Sequence, residues 1–157
     1  IHSEEWTFQK IKTINQHHLT QSQRIEDTIK MTQQVAKDYW IFVSQLVKIR
    51  NLTGNEFANR EQAKLYDRLN VPFKDWLAGL TEQDDREAKI TIWKQTLLQL
   101  VRRSAQELMN EATGRDIVGI PSEKGTVNIF TAMNRLNHAL IVDLGLKQGE
   151  KHEAKNS

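Results

Sequence analysis

The sequence has no cysteine in its 157 residues, which excludes disulfides, thiolate zinc sites and cysteine nucleophiles. It also fits a reducing, cytoplasmic setting. Only 7 glycines and 2 prolines occur, too few for a chain built of many short strands and turns. No apolar run approaches the ~18 residues of a membrane-spanning helix, and no segment is expected to serve as a signal peptide. The start at Ile1, without an initiator methionine, suggests a trimmed or excised piece of a longer protein. Neither charge dominates: 22 basic against 20 acidic residues leave +2, so any nucleic-acid contact must be a local patch. Sustained period-two alternation is missing apart from a trace at Trp6 and Phe8, so a sheet is not expected.

What the chain does have is helical periodicity. From about Gln21 to Ile49, apolar residues recur at three- and four-residue steps: Ile25, Ile29, Val35/Ala36, Tyr39/Trp40, Val43 and Leu46/Val47. From about Asn55 to Gly79 the stripe is Ala58, Leu65/Tyr66, Leu69, Phe73, Trp76 and Leu80. Pro72 lies inside this second segment. It has no N–H to donate and disfavours helical angles at Val71, so one kinked helix or two short ones are expected. A third segment carries Ile90, Trp93, Leu97, Leu100/Val101, Ala105 and Leu108. Thr81 and Asp84 before it resemble a capping box, with acids at the helix start and Arg102, Arg103 and Arg115 toward its end. A fourth, from a Thr126 cap to Gly145, carries Ile129/Phe130, Met133, Leu136, Leu140 and Leu144.

Four helices of about 20–30 residues, each ~30–45 Å long, with two short connections, predict an all-α antiparallel four-helix bundle over residues 21–146. Residues 1–20 read as an N-terminal segment, either an extension of the first helix or the end of a preceding domain. Residues 147–157 read as a disordered tail. The Gly114–Thr126 connection is long for a bundle and contains Ile117, Val118 and Ile120. It is expected either to tuck over the bundle end or to dock on a partner.

Catalytic chemistry finds no support. Di-iron bundles need Glu-x-x-His on two helices, and the chain has none. His17 and His18 are adjacent and diverge on a helix. His138 borders the predicted core and reads as a structural residue. No nucleophile motif or Walker loop is present, and Gly114–Gly119 follows no strand. The chain is therefore read as a non-enzyme without metal or cofactor. Trp40, Trp76 and Trp93, on three different helices, read as anchors of one core. The remaining candidates are basic: Lys48 and Arg50 at the end of the first helix, Lys64 and Arg68 one turn apart on the second, and Arg102 and Arg103 on opposite flanks of the third. Arg60, Lys89, Lys94 and Arg135 are scattered. These charges serve either as a solvated face or as contacts to phosphate or a partner, each neutralised phosphate steepening the log–log salt dependence by ~0.9 on duplex DNA.

The order Tyr66-x-x-Leu69-x-x-Pro72-Phe73-x-x-Trp76-Leu77-x-x-Leu80, then Trp93-x-x-x-Leu97-x-x-x-Val101-x-x-x-Ala105-x-x-Leu108, then Ile129-x-x-Ala132-x-x-x-Leu136-x-x-x-Leu140, resembles the C-terminal helical bundle of CasA. CasA is the large subunit of the type I-E CRISPR surveillance complex, Cascade. The resemblance spans about residues 21–146 and implies a non-catalytic bundle in antiviral defence. It also implies docking on the small-subunit dimer near target DNA, a shift as the R-loop forms, and only indirect contact with the guide RNA. The motif-reading loops of such a subunit belong to an N-terminal domain not in this chain. Two other classes compete: an autonomous helical protein-interaction domain with no nucleic-acid role, and a stand-alone DNA- or RNA-binding bundle. A metallo-bundle is a more distant alternative.

Overall fold

A computed structural model of the chain describes residues 19–49, 54–81, 85–113 and 123–146. Among them are four helices and no strand: α1 (Leu19–Ile49), α2 (Glu56–Ala78), α3 (Arg86–Thr113) and α4 (Glu123–Asp143). Of the expected N-terminal segment 1–20, residues 1–18 lie outside the described residues and 19–20 open α1; the expected tail 147–157, Arg50, and most of the long connection with Ile117, Val118 and Ile120 also lie outside them.

Cross-helix bonds establish the topology. Trp40 and Gln62 tie α1 to α2 through Asn59 and the Ala36 carbonyl, so the two run antiparallel. Trp76 to Lys89 and Arg68 to Ser104 do the same for α2 and α3. Arg102 to Asn137 joins α3 to α4, while Asp38 meets Asp143 across α1 and α4. Arg24 with Glu87 and Trp93 with Thr32 pair α1 and α3 in parallel. The arrangement is therefore an up-down-up-down bundle, with antiparallel neighbours and α1 and α3 parallel across the diagonal.

The helix ends follow from local chemistry. Gly54 adopts φ +91° just before α2, and the Asn55 carbonyl accepts from Asn59 N–H at 2.8 Å. The α3 cap is Asp85 rather than the predicted Thr81: its Oδ1 accepts from the N–H groups of Glu87 at 3.1 Å and Ala88 at 3.3 Å. Those are two of the donors a helix N-terminus leaves orphaned. α4 begins at Glu123, so Thr126 lies inside it and is not its cap. Its end is as predicted. Gly145, at φ +67°, donates to Val142 O at 3.1 Å and Leu146 to Ile141 O at 2.9 Å, the Schellman pattern.

Pro72 neither ends nor divides α2, which runs unbroken from Glu56 to Ala78. Of the two predicted forms, one continuous helix is observed. Its weak turn is braced on both sides by α3. Arg68 reaches Ser104 and Glu107 one turn earlier, and Trp76 Nε1 donates to the Lys89 carbonyl one turn later. Between them the buried Phe73 ring meets Trp93 edge-on at 5.1 Å, with Trp76 6.0 Å from Trp93. Such aromatic pairs each contribute about 0.5–1.5 kcal/mol beyond burial, enough together to offset much of a ~3 kcal/mol proline penalty.

The three tryptophans do anchor the core, but differently. Trp93 is 1% exposed, whereas Trp40 and Trp76 are partly buried against the core edge. Each indole N–H reaches a different neighbouring helix: Trp40 to Asn59 Oδ1 (2.7 Å), Trp76 to Lys89 O (2.8 Å), Trp93 to Thr32 Oγ1 (2.9 Å). Around them α1 buries an unusually wide arc, including Phe42 and the polar Thr28, Thr32 and Asp38. The threonine hydroxyls resolve their burial by donating to carbonyls one turn back, Thr28 to Arg24 O and Thr32 to Thr28 O, both at 2.8 Å.

Candidate partner and nucleic-acid surface

The basic residues singled out by sequence do not converge on one patch. Lys48 is exposed near the end of α1, and Arg50 beyond it is outside the described residues. Lys64 and Arg68 lie on the α2/α3 seam and are already engaged. Lys64 Nζ is 2.9 Å from Glu61 Oε2. Arg68 donates to Ser104 Oγ at 2.8 Å and to Glu107 Oε1 at 2.6 Å. Both pairs border a surface recess of about 130 Å³ that Glu111 also lines, so acids interleave with the bases. Three acids, Glu61, Glu107 and Glu111, against the two bases leave the seam slightly acidic, so it does not attract phosphate. Tyr39 also lines the recess. Burial, then the Glu61 carboxylate, raises its phenol pKa well above the ordinary value, so it stays a neutral hydroxyl.

Arg102 turns to the other flank of α3 and donates from Nε to Asn137 Oδ1 at 3.1 Å, fastening α4. Arg103 projects away from it and is exposed, as the wheel predicted. Arg60 lies over the Phe57 ring at 5.8 Å, a cation–π contact within α2. Of the nominated residues, Lys48, Lys64, Arg68 and Arg103 are exposed, and of these Lys64 and Arg68 are paired with carboxylates. Surface pairs such as Lys64–Glu61 add little stability, about 0–1 kcal/mol, but they lower the field available to an anionic ligand.

His138 is exposed and does not border the core, because the α4 stripe of Ile129, Ala132, Leu136 and Leu140 faces the opposite way. Phe130, grouped with Ile129 by sequence, is 58% exposed for the same reason. Among the described residues no group of three or more His, Cys, Asp or Glu is placed to hold a metal ion. None of the described helices is long and apolar enough to cross a membrane.

Sequence reading missed one feature, the meeting of Asp38 on α1 with Asp143 on α4. Asp38 is 8% exposed. Its Oδ1 accepts from Gln34 Nε2 at 3.3 Å, and its Oδ2 is buried with no partner among the described residues. Burial pushes its pKa up to about 7, with the adjacent Asp143 carboxyl adding to the rise and Gln34 and Lys37 opposing it. Two ionised carboxylates are both acceptors, so the unmet Oδ2 calls for a proton or a cation. A signal was present: Asp38 is three residues after Val35 and four before Phe42, on the core face, and Asp143 is three after Leu140. Beside the pair a shallow groove of about 200 Å³ runs between α1 and α4, lined by Ile41, Phe42, Gln45, Arg135, Leu136 and Ala139.

Comparison with known proteins supplies what geometry does not. The family model described as CRISPR-associated protein Cse1 matches residues 6–104, through α1, α2 and most of α3. No curated protein and no solved structure matches significantly. The matched region is well over half of the 157 residues and includes the Pro72–Phe73–Trp76 turn and its partner Trp93. The chain belongs to the Cse1 family of CRISPR-associated proteins, and its role is that of the large subunit of Cascade.

Proposed function

We propose that this chain is the non-catalytic docking bundle of that large subunit, which holds the subunit against the small-subunit dimer and helps to position target DNA as the R-loop forms. It acts in the cytoplasm and meets the guide RNA only through the assembly. The family match over residues 6–104 carries this reading. The charge arrangement favours protein docking over direct DNA capture, because Lys64 and Arg68 are paired with neighbouring carboxylates and Arg102 bonds Asn137. In such complexes base pairing with the guide reads sequence, and the protein contributes shape and backbone contacts. A rigid bundle with few free cations suffices when affinity comes from several linked contacts. Lys48 and Arg103 are the residues through which the backbone of the target strand is met.

The test is duplex binding by the isolated chain across a salt series, beside co-elution with the small subunits. The expected outcome is duplex binding weaker than about 1 μM at physiological salt, within the range of non-specific contact. The small subunits co-elute at high protein concentration. Submicromolar duplex binding with a steep salt slope, lost on combined Arg102→Ala and Arg103→Ala substitution, would instead make the chain a stand-alone nucleic-acid-binding bundle.

A further inference from the structure

We propose that the α1/α4 groove receives a basic side chain from a neighbouring protein subunit, with the carboxylates of Asp38 and Asp143 as its paired acceptors. The inference rests on the docking reading and gives it a surface and a chemistry. Its starting point is the orphaned Asp38 Oδ2, on a side chain more than nine-tenths buried, facing a second carboxyl. A buried acceptor left unmet is costly, and a buried pair of like charges more so.

Among the described residues, no cation of the chain is paired with either carboxylate. Lys37 is exposed and its opposing effect on Asp38 is the smallest of those acting there. On α4, Arg135 lines the groove two turns before Asp143, and His138 points to solvent. Gln34 donates to the other Asp38 oxygen, Oδ1, at 3.3 Å.

The groove selects among external cations. Its walls are apolar, from Ile41, Phe42, Leu136 and Ala139. Ile41 is 41% exposed, and Val142, one turn from Ala139, is 60% exposed. Such walls suit an alkyl stem that ends in a charged head, the form of lysine and arginine. They do not suit a hydrated divalent ion, which needs about six or more oxygen ligands where two carboxylates are offered. The guanidinium fork matches paired carboxylates best. With the groove empty, a proton held between Asp38 and Asp143 satisfies Oδ2. The incoming cation displaces that proton, so association strengthens as pH rises from 6 to 8.

The experiment uses the full-length parent assembled with guide RNA and the remaining Cascade subunits, in wild-type, Asp38→Asn and Asp143→Asn forms. Asparagine keeps the shape and can donate to the remaining carboxylate, and thermal unfolding verifies the fold. The affinity of the large subunit for the assembly is expected to fall about tenfold or more in either variant, and its rise between pH 6 and 8 to disappear. A Lys74→Ala control, at an exposed α2 position outside the groove, keeps wild-type retention and pH dependence. Variants that associate as tightly as wild type would overturn the groove assignment while leaving docking intact. A rise in melting temperature with Mg²⁺ that Asp38→Asn abolishes would overturn it in favour of a metal site. Failure of the wild-type subunit to associate at all would overturn the docking reading and the groove with it.

Discussion

Replacing Thr32 with valine should expose how the diagonal of the bundle is held. Thr32 is fully buried on α1, and its Oγ1 is the acceptor for Trp93 Nε1–H at 2.9 Å. Valine keeps the shape and removes the acceptor. The indole N–H is then buried without a partner, at a cost of about 1–3 kcal/mol. The lost bond to Thr28 O matters less, because that carbonyl belongs to a helix. The added methyl recovers a fraction of the loss, so Thr32→Val should destabilise by about 1–2 kcal/mol. Trp93→Phe removes the donor and part of the ring that meets Phe73 and Trp76, and should cost about 2–3 kcal/mol. The double variant has neither donor nor acceptor. Its loss should therefore be smaller than the sum by about 1 kcal/mol. Thermal unfolding followed by helical circular dichroism reads this cycle at about 2–4 °C per kcal/mol for a domain of this size. A Thr32→Val variant as stable as wild type, or losses that simply add, would refute the assignment of that hydrogen bond as a structural tie.

Other expectations follow from the same contacts. Asp38 has a folded pKa near 7 against an ordinary 3.8, so the folded state holds the extra proton between those values. Stability should be highest at the acid end of that window and fall as pH rises from about 4 to 7, the opposite of a salt-bridged aspartate. The full shift sets a ceiling of about 4 kcal/mol, which solvent at the groove lowers to about 1–2 kcal/mol. Asp38→Asn should flatten this slope and raise the melting temperature at pH 8; an unaltered pH profile would refute it. Gly145→Ala places a side chain at φ +67° and should cost about 1 kcal/mol by chemical denaturation, whereas Gly79→Ala, at φ −81°, should not destabilise. Pro72→Ala restores a helical hydrogen bond in a helix that is already continuous, and should stabilise by about 1–2 kcal/mol in the same assay. A loss would mean that the proline shape itself is needed at the α2/α3 seam.

Much of the fold was legible because helical periodicity and sparse punctuation are strong signals. Ala58, Leu65, Tyr66, Leu69 and Phe73 are all buried, as their spacing predicts. The misses have physical causes. Phe42 was passed over because a single stripe was traced on α1, whereas that helix packs on both neighbours and across the diagonal, which widens its buried arc. Asp85 displaced Thr81 as the cap because a cap is decided by which oxygen reaches the free N–H groups. The engaged state of Lys64, Arg68 and Arg102 is less legible still. The Glu61 partner of Lys64 was within reach of an i,i+3 reading, but Glu107 and Asn137 come from other helices. The Asp38–Asp143 meeting depends on the α1/α4 register, although each residue's place on its core face is visible in the sequence.

Deleting residues 21–146 from the full-length parent, within a complex assembled from guide RNA and the other Cascade subunits, tests the docking role most directly. Retention of the large subunit and binding of target duplex are measured together. A docking bundle predicts that both fall sharply on deletion while the remaining subunits still assemble. Unchanged retention and target binding would contradict it and leave an interaction bundle with a different partner.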